Sequence, residues 1–342
     1  MKIFICEHAC IALPAGGKVL APAGFRGDML LEALLSDISR VGDVAVSILR
    51  APDCNAIHTP RSTSVVPLHS DALTSVTACI RDADAVWPLA PESNGMLESI
   101  SKTVLQHHKI LLGSTPDAVH LAGSKYRTSQ ALRAAGIPVV PTFRAQANLP
   151  ADPHAWVVKP DDGAGCSDTH IFSHRQAAQE WIGTRSSADY VLQPYISGRP
   201  CNLSLLCGDE DVFLLGCNDQ RVAVSDNQFH YMGTTVNSID DQDGELMRLA
   251  RGVIAAIPGL WGYVGIDLII TDQGPVVLEV NPRMTMSHAG LHASIGANPA
   301  AMLFDMLRGG DCGMPAAGKN RQVSVDVDDH QARNRDSSLS VH

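Results

Sequence analysis

The chain has 342 residues, of which 45% are hydrophobic and 18% are charged, a balance typical of a folded protein with two or three domains. Its formal net charge of −10 argues against a protein that mainly neutralises nucleic acid, so any nucleotide site must be locally basic. The nine cysteines include no Cys-x-x-Cys pair, and no apolar run reaches membrane-spanning length, so we expect reduced thiols, no membrane partner and a cytoplasmic protein.

The first 115 residues alternate short apolar runs with helical patterns. The β-rich runs cover residues 2–6, 44–49, 85–89 and 110–112, and the helical patterns cover residues 28–38 and 97–105. This order predicts an N-terminal domain over residues 1–115, with an open parallel α/β sheet and helices on its faces. Ligands of such sheets bind at the carboxyl ends of strands, where Glu7 and Glu92 lie. The alternative is that both residues are loop acids in water.

A helical pattern that begins near Lys125 follows this first domain. The start of a helix carries partial positive charge, so a lysine there is unfavourable unless an anion lies nearby. Lys125 is therefore a candidate phosphate contact. A lysine on a solvated helix face explains this segment equally well.

A second lysine, Lys159, ends a β-rich run and precedes a loop that contains Gly163 and Gly165. Glycines let backbone amides approach a phosphate closely, and successive amides form an anion-binding nest. It is not a Walker loop, because the chain has no Gly-Lys-Ser/Thr. In the first domain, the absence of a Gly-x-Gly-x-x-Gly after a strand argues against a dinucleotide site. An ordinary turn is the alternative for this loop taken alone.

Two apolar runs late in the chain are separated by Asp272 and Gln273, which indicate a hairpin turn. Glu279 and Asn281 lie two residues apart, so a strand points both to one face. In a hairpin centred near Gln273, Asp267 lies opposite Glu279, and two like charges paired across a ladder destabilise it unless they are neutralised. Mg²⁺ binds one or two carboxylates together with substrate phosphates and would neutralise them. The alternative is a pair of solvated strand positions.

Asp267, with Glu279 and Asn281 in the run Leu-Glu-Val-Asn-Pro-Arg, resembles the metal-binding hairpin of the ATP-grasp superfamily. The form Asn-Pro-Arg-Met-Thr is similar to that of carboxylate–amine ligases of the kind that joins tyramine to glutamate in methanofuran-type coenzyme biosynthesis. The resemblance implies a two-subdomain ATP-grasp fold after a pre-ATP-grasp domain. The implied limits are a central subdomain over residues 116–192, a C-terminal subdomain with the metal site over 193–310, and a last strand with a disordered tail over 311–342.

The resemblance also assigns a nucleotide site. Lys125, Lys159 and the loop residues would contact the triphosphate. The segment of residues 193–198, here called the hinge because it joins the two subdomains, would line the adenine pocket. The ATP-binding residues implied in this way are Lys125, Lys159, Gly163, Gly165, Ser167, Gln193, Tyr195 and Ile196. Many relatives carry an acid for the ribose where this chain has Pro200, Cys201 and Asn202, so its ribose contacts depart from the common pattern.

The same resemblance implies the reaction and its remaining residues. Asp267, Glu279 and Asn281 would hold Mg²⁺ or Mn²⁺, and Arg283 and Lys159 would act in catalysis. Substrate would contact Glu92, Arg283, Thr285 and Ser287. The implied enzyme activates a carboxylate with ATP, as an acyl phosphate, and transfers the acyl group to an amine, with glutamate as one small-molecule partner. A homodimer is compatible with this family.

Two other functions and one other metal site fit parts of the sequence. An ATP-dependent carboxylase would use bicarbonate in place of an amine, and a regulatory protein would bind ATP without turnover, although the intact metal ligands argue against the latter. His288 and His292 lie one helical turn apart, but the third ligand of a zinc site is missing nearby. We therefore expect helix histidines that are partly buried.

Overall fold

The computed structural model describes residues 1–7, 21–51, 54, 56–68, 71–145, 147, 155–185, 189–310, 312 and 320–327, with the side chains of the first helix from Gly27 onward. No helix in these ranges is both long enough and apolar enough to cross a membrane. The tail predicted after the last strand lies outside the described residues.

The first part of the chain forms the predicted parallel α/β sheet. Its elements are β1 Lys2–Glu7, α1 Ala21–Ile38, β2 Ala45–Arg50, β3 Thr63–Pro67, α2 Ala72–Asp82, β4 Ala85–Leu89, α3 Met96–Gln106 and β5 Ile110–Leu111. Over the described residues the strand order is β3-β2-β1-β4-β5, with every pair parallel. The central strands β1 and β4 are almost wholly buried, which is why they appear as continuous apolar runs. The edge strand β3 is largely exposed, so the apolar pattern predicted neither β3 nor α2, which follows it.

The second part of the chain is built on an antiparallel sheet. Its elements are α4 Pro116–Ala122, α5 Lys125–Ala134, β6 Phe143–Arg144, β7 Trp156–Pro160, β8 His170–Phe172, α6 Arg175–Gly183, β9 Tyr190–Pro194, β10 Arg199–Cys207, β11 Val212–Ser225, β12 Gln228–Val236, α7 Glu245–Ala256, β13 Gly262–Thr271, β14 Gly274–Asn281, α8 His288–Ile295, α9 Pro299–Leu307 and β15 Val323–Asp326. Among the described strands the order is β14-β13-β10-β11-β12-β8-β7-β9-β6, with β15 beside β12. The strand predicted near the C-terminus is present as β15.

One apolar cluster joins the two sheets. It packs Leu34 and Ile38 of α1 against Leu291 of α8 and Phe304 of α9. Trp87 of β4 contributes to the same cluster and makes an edge-to-face contact with Phe304, with ring centroids 6.0 Å apart. Each fully buried side chain of this size contributes roughly 1.5–3 kcal/mol, so the cluster holds the C-terminal helices against the first sheet.

Candidate active site

The β13–β14 hairpin pairs the two acids that the sequence singled out. Its two-residue loop sets Thr271 opposite Gly274, a register that alone would place Asp267 opposite Leu278. A bulge in β14 leaves Leu278 without a direct partner and brings Glu279 opposite Asp267. The predicted pairing is therefore present, and the bulge is the feature that produces it.

Amide groups surround the carboxylate of Asp267. Asn202 Nδ2 and Gln220 Nε2 donate to its Oδ1 at 2.6 and 3.1 Å, and Asn281 Nδ2 lies 3.3 Å from its Oδ2. Burial, and then the nearby charge of Glu279, raise the pKa of Asp267 to about 7, although the amides of Asn202 and Asn281 favour its ionised form. A positive ion beside the pair would reverse this penalty.

Two lysines from different elements converge on Glu279. Lys125 Nζ and Lys159 Nζ each lie 3.4 Å from Glu279 Oε2, and both lysines are more than nine-tenths buried. Burial opposes ionisation of Glu279, but the lysines outweigh it and lower its pKa to about 2. Burial and the charge of Lys125 lower the pKa of Lys159, against the opposing effect of Glu279. The site therefore concentrates positive charge that a triphosphate would compensate.

The glycine loop after β7 is held by its first two residues and by Lys125. Asp161 accepts hydrogen bonds from Ser124 Oγ at 2.6 Å and from the backbone nitrogen of Tyr126 at 2.9 Å. Lys125 Nζ donates to the carbonyl oxygen of Gly163 at 2.5 Å, and the backbone nitrogen of Asn94 donates to Asp162 Oδ2 at 2.7 Å. These contacts fix the start of the loop over the lysines.

Arg283, two residues beyond the end of β14, is fixed by three contacts. Its Nε donates to Glu92 Oε2 at 2.9 Å, its Nη1 to the carbonyl oxygen of Met284 at 3.1 Å, and its Nη2 lies 3.4 Å from Asn281 Oδ1. Glu92 comes from the loop after β4, in the first sheet. The guanidinium therefore joins the first sheet to the proposed metal ligands.

Buried hydroxyl and amide groups connect the segment after Arg283 to Asp267. The Oγ atom of Ser287 lies 2.8 Å from Thr285 Oγ1 and 2.7 Å from Ser204 Oγ, and it donates to Asn202 Oδ1 at 3.2 Å. Asn202 in turn donates to Asp267. The motifs in the sequence did not predict this role for Asn202. A detectable signal was its alternation with Ser204 on one face of a β-rich run.

These residues surround one cavity of about 730 Å³, within the roughly 300–1,000 Å³ of ordinary ligand sites. Among the described residues assigned above to ATP, metal or substrate, Glu92 alone does not line the cavity, and it contacts Arg283 instead. The candidates that line the cavity are Lys125, Lys159, Gly163, Gly165, Ser167, Gln193, Tyr195, Ile196, Asp267, Glu279, Asn281, Arg283, Thr285 and Ser287.

The hinge and the first sheet form two further walls of the cavity. Gln193 is buried, and its Nε2 donates to Thr142 Oγ1 at 2.8 Å, which fixes the amide beside Tyr195 and Ile196. Glu7, at the end of β1, lines the cavity. Its Oε2 lies 3.8 Å from Arg50 Nη1. The loop-acid alternative for Glu7 therefore does not describe its position.

The two helix histidines contact an acid of α1. His292 Nδ1 lies 2.5 Å from Asp37 Oδ1, and His288 Nε2 lies 3.3 Å from Asp37 Oδ2. Burial opposes ionisation of Asp37, but these contacts outweigh it and lower its pKa. In the described part of the chain, no group of three or more His, Cys, Asp or Glu side chains is arranged to hold a metal.

Comparison with known proteins identifies the family. The profile described as ATP-grasp domain matches residues 122–287, and the profile described as pre ATP-grasp 3 domain matches residues 44–119. The tyramine–L-glutamate ligase of Methanocaldococcus jannaschii is 27% identical over 208 residues, which cover 61% of this chain and 58% of that protein. The enzyme of the same name from Methanocaldococcus fervens is 26% identical over 208 residues, or 61% of each chain. The chain thus spans about three fifths of the length of these curated relatives.

Solved structures share the fold at low sequence identity. A protein of the ATP-grasp superfamily from Archaeoglobus fulgidus superposes with a TM-score of 0.69 and 22% identity, covering 96% of this chain and 100% of that one. D-alanine–D-alanine ligase from Bacillus anthracis, in complex with ATP, gives a TM-score of 0.61 and 16% identity over 90% of this chain and 96% of that one. The two consecutive profile matches, which together cover more than two thirds of the chain, show that it belongs to the ATP-grasp superfamily, with a pre-ATP-grasp domain ahead of its ATP-grasp domain.

Proposed function

We propose that the chain is an ATP-dependent ligase that activates a carboxylate as an acyl phosphate and joins it to an amine. The observation that carries this proposal is the convergence of Lys125 and Lys159 on Glu279, each at 3.4 Å, beside Asp267 and Arg283 in one cavity. Phosphoryl transfer requires cations on the transferred group, oxygen ligands for a divalent ion, and a positioned nucleophile. This cavity offers the first two, and Arg283 is suited to position a carboxylate.

The three oxygen donors Asp267, Glu279 and Asn281 fit Mg²⁺, or Mn²⁺ in its place. Two buried carboxylates paired across a ladder repel each other, and a positive ion between them would remove this repulsion. The pKa of Asp267 is raised by its burial and by the same repulsion. A set of two carboxylates and one amide suits an ion that takes its remaining ligands from phosphates and water. When bound, such an ion would neutralise charge on the phosphates.

In the proposed reaction, an oxygen of the carboxylate substrate attacks the γ-phosphorus of ATP, and ADP leaves. The amine nitrogen then attacks the acyl carbon, inorganic phosphate leaves, and the nitrogen loses a proton. Lys125 and Lys159 would neutralise charge on the transferred phosphoryl group, and Arg283 would hold the carboxylate or acyl-phosphate oxygens. Catalysis by these residues is mainly positioning and electrostatic stabilisation.

The remaining walls of the cavity suit the other parts of the substrates. We assign the adenine to Gln193, Tyr195 and Ile196, and the triphosphate cover to the loop from Gly163 to Ser167. Thr285 and Ser287 supply hydroxyl groups at the substrate end.

The substrate pair is proposed from the relatives and from the end of the cavity at the first sheet. Leu30, Leu89 and Met286 line that end, with Glu7 beside them, and an apolar surface of this kind suits the body of an aromatic amine. The two curated relatives are tyramine–L-glutamate ligases. We therefore propose glutamate as the carboxylate substrate and an amino acid or aromatic amine as the amine substrate.

Product analysis tests this proposal. The protein is incubated with ATP, Mg²⁺ and pooled amino acids and aromatic amines, while ADP release and product masses are recorded. We expect ADP only when an acid and an amine are both present, and a product with their summed mass less one water. A requirement for bicarbonate would indicate a carboxylase, and ATP binding without ADP formation over the whole panel would indicate a regulatory protein. Either result would contradict the ligase.

A further inference from the structure

The Arg283 guanidinium depends on the first sheet for its orientation. Its Nη1 and Nη2 contacts are made within its own segment, to Met284 and Asn281, whereas its Nε contact is made to Glu92 at 2.9 Å. Glu92 lies 191 residues away in sequence. Because Nε is the nitrogen nearest the flexible stem, this contact selects one orientation of the guanidinium plane.

Glu92 itself is buried away from the cavity. Only 9% of the residue is exposed, and its Oε1 has no hydrogen-bonding partner within the described ranges. On its other side, a Cβ atom added to Gly123 would lie 3.2 Å from Glu92 Cβ, so α4 ends directly against this acid. The Arg283 guanidinium is therefore the cation on which the charge of Glu92 depends for compensation.

The loop that carries Glu92 also contacts the glycine loop. Ser93 Oγ donates to the carbonyl oxygen of Asp162 at 2.8 Å, and the backbone nitrogen of Asn94 donates to Asp162 Oδ2 at 2.7 Å. Asn94 adopts a left-handed conformation with φ of 57°, which few residue types other than glycine and asparagine tolerate. One short loop of the first sheet thus contacts both the phosphate-covering loop and Arg283.

We propose that Glu92 is a positioning residue that holds Arg283 in the orientation needed to bind the carboxylate substrate, and that it does not contact substrate itself. This inference rests on the proposed ligase function. It assigns to the pre-ATP-grasp domain a direct part in orienting a group of the ATP-grasp active site. In wild type, the guanidinium edge that lines the cavity is fixed before substrate arrives, which lowers the cost of ordering it on binding.

Steady-state kinetics with the full chain test the role of Glu92. Glu92→Ala removes the Nε acceptor, and we expect kcat/KM for the carboxylate substrate to fall about 100-fold, the effect of a misplaced positioning group, while KM for ATP stays within about two-fold. Glu92→Gln keeps an oxygen acceptor but loses the charge, so a loss of about ten-fold is expected. Glu98→Gln is the matched control, because Glu98 is a partly exposed acid that pairs with Lys102 of α3 and His120 of α4 and does not line the cavity.

A double-mutant cycle separates positioning from direct contact. If Glu92 acts through Arg283, Glu92→Ala adds little to the loss caused by Arg283→Ala, because the residue it positions is already gone. Losses that add would show that Glu92 acts on substrate independently, and would overturn the proposal.

Chemical modification gives a readout that does not need turnover. The rate at which phenylglyoxal modifies Arg283 is followed by mass spectrometry of its peptide in wild type, Glu92→Ala and Glu98→Gln. We expect the rate to rise several-fold in Glu92→Ala alone, because the guanidinium loses its buried partner. An unchanged rate would refute the positioning role. If none of these proteins released ADP, the ligase function would fail, while the Arg283 reactivity would still decide the role of Glu92.

Discussion

Glu279 lies between two buried lysines and a second acid, and this position determines its ionisation. Lys125 and Lys159 lower the pKa of Glu279 to about 2, so Glu279 carries a negative charge at physiological pH. Asp267, directly opposite, has the contrary tendency. The lysines lower the pKa of Glu279 and burial raises the pKa of Asp267, so the two acids of the hairpin differ widely in pKa.

Replacement of Glu279 tests the proposed metal role. Glu279→Gln removes a charged oxygen donor while keeping the shape of the side chain, so we expect ADP release to fall by about 10²-fold or more. The far-ultraviolet circular dichroism spectrum should remain that of the folded protein. Glu210→Gln, at an exposed position in the turn between β10 and β11, is the control. A Glu279→Gln protein with nearly full turnover would refute the assigned role.

The raised pKa of Asp267 predicts how stability depends on pH without metal. A carboxyl whose folded pKa is raised to about 7 favours folding while it is protonated, and this contribution is lost as pH rises through about 7. Asp267→Asn stays neutral, and its amide oxygen can accept from Asn202 and Gln220. We therefore expect Asp267→Asn to exceed wild type in free energy of unfolding by about 1–3 kcal/mol at pH 8, with a smaller difference at pH 5.

Urea unfolding in EDTA at both pH values measures this difference. Asp272→Asn, at an exposed position in the same hairpin, controls for the loss of an acid as such. An Asp267→Asn protein less stable than wild type at pH 8 would contradict the pKa shift.

At the scale of elements, the sequence predicted the β13–β14 hairpin because a hairpin depends on local order. Turn residues and the two-residue spacing indicated the hairpin and one face for Glu279 and Asn281, but they did not indicate the bulge in β14 that brings Glu279 opposite Asp267. The contacts of Asn202 and Gln220 to Asp267 were not predicted, because they depend on β10 lying between β13 and β11. Neighbours in that sheet are set by long-range pairing, which no local pattern encodes.

The hinge between β9 and β10 has no room for a single added atom at Gly198. A Cβ at Gly198 would lie 2.5 Å from both Ile269 Cγ2 and the carbonyl oxygen of Ile270. We expect Gly198→Ala to lower the free energy of unfolding by about 1–3 kcal/mol and to weaken ATP binding, because Gly198 lines the cavity. Gly42→Ala is the control, since nothing lies within 4 Å of its added Cβ. Calorimetric unfolding and titration with ATP check both effects, and equal stability of the two variants would contradict the close approach.

At the scale of the whole molecule, the two sheets are joined by one apolar cluster and by one cavity. The first sheet supplies Glu7 and Leu89 to the cavity wall. Its helix α1 packs on α8, which follows the segment that holds Thr285 and Ser287. The order of the elements predicted the first sheet, whereas the fold of the second part was expected from the resemblance of its motifs to the ATP-grasp superfamily. The sequence could not predict that Glu92 contacts Arg283, because that contact exists only once the two sheets are packed together.

Asp37 connects α1 to α8 and predicts a stability effect with a defined pH dependence. Its pKa is lowered, so its contribution is present above its ordinary value near 3.8 and is lost as pH falls through the lowered value. Asp37→Asn weakens the contacts with His288 and His292, and we expect a loss of about 2 kcal/mol at pH 7 that shrinks in acid. Asp82→Asn, with 71% of its side chain exposed, is the control. Denaturant unfolding from pH 3 to 7 measures the effect, and a loss that did not depend on pH would contradict it.

The most direct test of the central claim is a crystal structure with Mn²⁺ and a non-hydrolysable ATP analogue, read by the anomalous scattering of manganese. We predict anomalous peaks within about 2–2.5 Å of carboxylate oxygens of Glu279 and Asp267, with Lys125 and Lys159 contacting phosphate oxygens. Manganese bound elsewhere, or a triphosphate that lies away from these lysines, would contradict the account.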